Sequence, residues 1–158
     1  MPVIDANSER GRDWDWYASD AKGHIAHFIS AGLRALPASV KQSAETALAL
    51  TAFFESLPER SVDVHLSARA EQEVAQLADT AKIEWRLRDF VCAARRGLFS
   101  YDTEMTHEKS DYYLIASPEQ PLSVDDLPHE VRSMLMPAVS ILSFASMTVI
   151  DEATTLQW

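Results

Sequence analysis

The chain has 158 residues, one cysteine, 47% hydrophobic and 24% charged residues, and a net charge of −10. That length fits a single domain able to bury its own core; the lone Cys92 excludes an intrachain disulfide and every multi-cysteine zinc pattern, and no apolar run reaches membrane-spanning length. Residues 1–98 hold 14 acids and 12 bases, but residues 99–158 hold 10 acids against Lys109 and Arg132, a field that repels nucleic acid and anionic membrane and speeds encounter with a basic partner.

The opening MPVIDANSERGRDW has no apolar stretch behind a basic start, so no secretory signal is expected, and a reducing cytoplasm is the simplest setting. Residues 1–11 are expected to be loose. DWDWYASDAKGHIAHF, residues 13–28, reads as a hairpin, because strand side chains alternate between faces. Trp14 and Trp16 then share one face, and Asp13, Asp15 and Tyr17 the other. Asp20-Ala21-Lys22-Gly23 supplies the turn: an acid to open it and a glycine for a left-handed position. His24 and His27 fall on opposite faces of the returning strand, so they cannot chelate one ion together, and no metal or other cofactor is expected.

A helix is expected from about Ala38 to Leu57, entered at Pro37 and stopped before Pro58. A second is expected from a Ser67 cap to a left-handed Gly97. Its apolar stripe changes sides: Val74, Leu77, Ala78, Ala81 and Trp85 line one face, while Ile83, Leu87, Phe90, Val91 and Ala94 line nearly the opposite one. The helix therefore breaks near Lys82, or its halves pack against different elements. FSYDTEMTHEKS reads as a polar connection and DYYLIAS as a strand ended by Pro118. A Pro-rich bend leads to a short helix from Pro128 to Leu135, preceded by Asp125 and Asp126, which suit its positive end. AVSILSFASMTVI supplies one or two further strands, and residues 151–158 are expected to be loose. Strands, then helices, then strands predict an α+β fold in one domain, residues 1–158: an antiparallel sheet of the N-terminal hairpin and C-terminal strands, packed with two long helices and one short one.

Chemistry-bearing patterns are sparse. No nucleophile sits beside an oriented base in the sequence, no glycine-rich loop can cradle phosphate, and Cys92 lies among Phe90, Val91 and Ala93 as a small hydrophobe. His107-Glu108 and His129-Glu130 read as solvated pairs. Arg86, Arg88, Arg95 and Arg96 lack interleaved exposed aromatics, so they are expected to pair internally with Asp102, Glu104 or strand acids rather than with RNA.

DWDWYASDAKGHIAHF followed by a helix after LP, AARRGLFSYD, and YYLIASPEQPL with DLP downstream resemble a family of small bacterial cytosolic proteins across roughly residues 12–130. Members of that family look like immunity proteins, which bind a delivered toxin and block its active site. The resemblance implies no catalytic residues and a scaffold role for Asp13, Trp14, Asp20, Gly23, Gly97, Leu98 and Asp102. It implies as partner a cognate toxin or effector domain, basic in character, met by acidic surface. The expected binding residues are Glu104, Glu108, Asp111, Glu119, Asp125, Asp126 and Glu130, because loops carry function more often than framework does. Asp13, Asp15 and Tyr17 form a second candidate surface. Two other classes stay open: an enzyme using His24 or His27 with Asp15 and Asp102, and a structural or adaptor subunit.

Overall fold

A computed structural model describes residues 2–32, 36–103, 111–137, 143–151, 154–155 and 157–158. In chain order the elements are α1 (Ala6–Gly11), β1 (Asp15–Ser19), β2 (Ile25–Ile29), α2 (Ala38–Lys41), α3 (Ala44–Ser56), β3 (Val64–Leu66), α4 (Ala68–Ala75) and α5 (Thr80–Arg95). They continue through β4 (Phe99–Thr103), β5 (Tyr112–Pro118), α6 (His129–Met134), β6 (Met136–Pro137) and β7 (Val149–Ile150). The fold is α+β, with the strands in the order β3-β5-β4-β2-β1-β6 and β7 also paired to β5.

The sheet is mixed, not antiparallel throughout. β1 and β2 form the expected hairpin, with Trp16 opposite Phe28 and Tyr17 opposite His27, but β2 runs parallel to β4 and β1 parallel to β6. The parallel β2–β4 pair follows from the long helical crossover between them, since parallel neighbours need such a connection. The hairpin turn is built as its residues suggest: Asp20 Oδ1 accepts from the amides of Lys22 and His24, each at 2.9 Å, and Gly23 has φ of +81°. His24 packs its ring 5.2 Å from that of Phe99 while His27 turns to Ser100, so the two imidazoles do face opposite ways.

Both predicted long helices are interrupted. Ser43 adopts extended backbone and accepts from the Thr46 amide, ending α2 and capping α3; a serine that can cap competes with a continuous helix. The second breaks at Gln76–Asp79, earlier than Lys82, where Asp79 accepts from the Ala81 amide and starts α5. Ser67 caps α4 as expected, and Gly97 is left-handed, at φ +100°, with a Cβ there only 2.6 Å from the Leu122 nitrogen. β4 overturns the polar-connection reading of its segment: all five residues are buried and the strand lies between β2 and β5. Near the ends, Ile4 and Trp158 are buried in the core. The segment AVSILSFASMTVI falls partly outside the described residues, and β7 is the strand it contributes within them.

The sheet has two unlike faces. On one, Trp14, Trp16, Phe28, Tyr101, Tyr112 and Phe144 form an aromatic core. Trp16 Nε1 donates to the Tyr112 hydroxyl at 3.0 Å, with ring centroids 5.4 Å apart. These strands are three ladders apart, about 14 Å on a flat sheet, so the sheet curls around this face. On the other face α3, α5 and α6 cover Tyr17 and Ile25, while α4 and α5 cover Ile29, Tyr113 and Ile115.

Candidate functional site

The helix-covered face also carries a stripe of polar side chains. His27 of β2 bridges β1 and β4: its Nε2 lies 3.1 Å from Asp15 Oδ2 and its Nδ1 2.8 Å from Ser100 Oγ. With the carboxylate ionised, Nε2–H donates to Asp15, and Nδ1 accepts from the Ser100 hydroxyl. A register shift in the β4–β5 ladder between Ser100 and Tyr101 sets the serine at a bulge, a feature that re-aims side chains.

Above Asp15 and His27 lies a cleft of about 150 Å³ between this stripe and the helices, walled by Phe54 and Glu55 of α3, by Asp89 and Cys92 of α5 and by Arg96 at its C-cap. Asp13 stands beside it with Oδ1 accepting from the Ala31 amide at 2.7 Å. Its carboxyl is held above the usual range, first by partial burial and then by the charges of Asp15 and Asp89 against the Ala31 bond. Tyr17 is buried, so it belongs to the cleft wall and not to an exposed surface; burial first, and the Asp15 charge next, push its phenol upward. Cys92 is half-buried at the cleft and not sealed in the core.

The Asp15–His27–Ser100 chain has the composition of a hydrolase triad but the reverse placement. A triad buries the acid and presents the nucleophile; here Ser100 is fully buried, whereas the Asp15 side chain keeps 28% of its exposure and that of His27 4%. The imidazole nitrogens are also exchanged relative to that triad, Nδ1 meeting the serine and Nε2 the aspartate.

Asp102 does not join His27. It is buried 2.8 Å from Arg86 Nη2, which also lies 3.1 Å from Glu73 and 3.3 Å from the Tyr113 hydroxyl. Burial raises the Asp102 carboxyl against the opposing pull of Arg86. On Arg86 burial works against the charge, but Asp102, Tyr113 and Glu73 outweigh it and raise its pKa. Arg69 stacks over Tyr113 at 3.7 Å. The internal pairing expected for the arginines is thus made by Arg86, while Arg95 and Arg96 donate to the carbonyls of Val62 and Leu57. Asp20 is likewise consumed by the fold, since its Oδ2 accepts from the Phe144 amide at 2.9 Å.

Among the described residues, the acids expected to bind a partner do not form one patch. Asp111 precedes β5 and Glu119 follows it, so the extended chain between them holds them about 26 Å apart. Glu119 pairs with His65. Asp125 stays 85% exposed with Arg132 Nη1 3.9 Å away, and Asp126 and Glu130 are exposed beside it. Glu104 and Glu108 lie outside the described residues.

Glu55, Ser100, Asp89 and Arg96 of the polar stripe and cleft were not expected. A signal existed for the last two: Asp89, Cys92, Ala93 and Arg96 recur at the spacing of one helix face. Ser100 and Glu55 are joined to Asp15 only by the tertiary fold. Among the described residues no three His, Cys, Asp or Glu side chains converge as a metal site, and no helix is long and apolar enough to cross a membrane. Compared with protein-family models, curated proteins and solved structures, the chain matches none of them.

Proposed function

We propose that this protein acts in the cytoplasm as an immunity-type inhibitor, binding a basic toxin or effector domain through acidic surface at the cleft beside β1. One observation carries the reading. The buried polar groups capable of chemistry are committed to the framework, His27 through both nitrogens and Asp102 through Arg86, whereas the acids at the cleft remain open to solvent. Asp15 is partly exposed, and Asp13, Glu55 and Asp89 are exposed. Arg96 donates through Nε to the Leu57 carbonyl and keeps its positive charge at the lining, and Arg88 lies 3.3 Å from Asp89, so the four acids face two arginines. A negative concavity of this kind steers a cationic partner and orients it on arrival. The exposed group Asp125, Asp126 and Glu130 is a second acidic area for the same partner.

The Asp15–His27–Ser100 chain favours the competing reading, a small hydrolytic enzyme. The buried position of Ser100 weighs against it. Co-expression separates the two readings. Where a neighbouring gene encodes a toxin domain, cells producing it should survive when this protein is present, and equally when it carries Ser100→Ala. Death at the same rate with and without the protein contradicts inhibition; loss of protection in a folded Ser100→Ala variant supports the enzyme.

A further inference from the structure

Independently of that reading, a larger cavity of about 490 Å³ opens on the other side of Tyr17, between β1, the α2–α3 junction and the end of α6. It exists because of two departures from regularity. Ser43 breaks the expected helix, so the α2–α3 corner forms one wall. β6 pairs with β1 only at Ala18 and Ser19, so the stretch of β1 through Trp16 and Tyr17 is left facing the gap.

The lining is chemically uniform in one respect. Among the described residues, no aspartate, glutamate, lysine, arginine or histidine contributes to it, in a chain where 24% of residues are charged. Trp16, Ala47, Leu50 and Leu135 make an apolar floor, each buried. Ser39, Gln42 and Ser133 place uncharged polar groups at an exposed rim. Small-molecule sites have this build, an apolar body with few polar groups in a volume of about 300–1,000 Å³. The cleft beside Asp15, at about 150 Å³, is too small for that. A charged guest would leave water with no counter-charge to meet it, which costs far more than any gain from the apolar floor.

We propose that this cavity is a binding site for an uncharged small molecule with an apolar body and hydroxyl or amide groups at one end. The apolar part rests on Trp16 and Leu50, and the polar end meets Ser39, Gln42 and Ser133.

Trp16 is a built-in reporter, because its indole N–H is held by Tyr112 and its ring forms part of the floor. The probes are N-acetylphenylalaninamide, which is neutral, with N-acetylphenylalanine and phenylalaninamide as anionic and cationic analogues of nearly the same shape. The Trp16 indole resonance, assigned by its loss in Trp16→Phe, should shift saturably with the neutral probe. The charged probes should bind at least about tenfold more weakly, the cost of an unpaired charge, and the resonance of exposed Trp85 should not move. Ala47→Phe, which fills the floor, should abolish the shift. Ser133→Trp, a change at an exposed position that narrows the rim, should weaken it in a protein whose circular dichroism is unchanged, and it serves where Ala47→Phe does not fold. No saturable shift, equal binding of all three probes, or a shift indifferent to the folded Ser133→Trp variant overturns the proposal. Since no partner protein enters this experiment, its outcome is separate from that of the co-expression test.

Discussion

The two faces of this sheet are built from the same strands, yet they solve different problems. Inside the curl, rings stack against rings: Trp16 lies 4.0 Å from Phe28, and Phe28 5.1 Å from Tyr101. Two polar groups there are met locally, the Trp16 indole N–H by the Tyr112 hydroxyl at 3.0 Å and the Tyr101 hydroxyl by the Met147 carbonyl at 2.6 Å. Under the helices, alternate residues of the same strands are His27, Ser100 and Asp102, each held by a specific partner. Both faces are stabilised by area removed from water, and the helix-covered face adds directional bonds, among them the one from Arg86 of α5 to Asp102 of β4. The comparison teaches that buried polar residues need not mark catalysis; here they position helices and leave carboxylates at the cleft edge.

If that division holds, truncation on the aromatic face has the largest effect. Trp16→Ala should destabilise the protein by about 3–5 kcal/mol, the usual cost of deleting a large buried ring, read by chemical denaturation. Arg86→Met on the other face should cost about 2–3 kcal/mol, because Asp102 is left buried without its cation. Adding Asp102→Asn should recover part of that loss. A double variant no better than the single one would show that Arg86 acts through packing rather than charge.

The sheet's period-2 signal explains what was readable beforehand. Alternation from Trp14 to Phe28 placed both tryptophans on one face and Asp15 with Tyr17 on the other, and the structure keeps that assignment. Ser67, Gly97 and the short helix near Pro128 were legible from local capping and turn chemistry. β4 was not, because Ser100 and Asp102 look like loop residues until His27 and Arg86, distant in sequence, supply their partners. The same holds for the break at Ser43, where capping competes with a run of good helix formers, and for the parallel β2–β4 pairing, which no local pattern encodes. At the candidate site Asp15 was on the right face, but Glu55 and Ser100 come to it only through tertiary packing.

Smaller effects sharpen the contrast. Ser100→Ala should cost about 1 kcal/mol, leaving His27 Nδ1 without its hydroxyl, and should leave the fold intact by circular dichroism. Asp13→Asn addresses the cleft charges. The folded carboxyl of Asp13 sits above its ordinary value of 3.8, so the folded state binds the proton more readily than the unfolded chain, and the ionised group opposes folding at neutral pH. The variant should therefore be slightly more stable than the parent at pH 7, by about 0.5 kcal/mol or less given solvent screening. That advantage should fade as pH falls through the raised pKa toward 3.8. Thermal unfolding across pH 3 to 7, roughly the span over which a carboxylate titrates, reads this directly. An advantage that is constant across the range would show that ionisation of Asp13 is not its source.

The central claim, that the cleft carboxylates receive a basic partner, is tested most directly by association kinetics with a toxin domain that this protein neutralises in co-expression, at low and high salt. Two triple variants are compared with the parent: Asp15→Asn with Glu55→Gln and Asp89→Asn at the cleft, and Asp125→Asn with Asp126→Asn and Glu130→Gln on the exposed group. The cleft variant should associate about tenfold more slowly at low salt and lose most of the salt dependence, while the other variant changes only a few-fold. Parent-like association of a folded cleft variant, with the loss falling instead on the Asp125, Asp126 and Glu130 variant, would contradict the account.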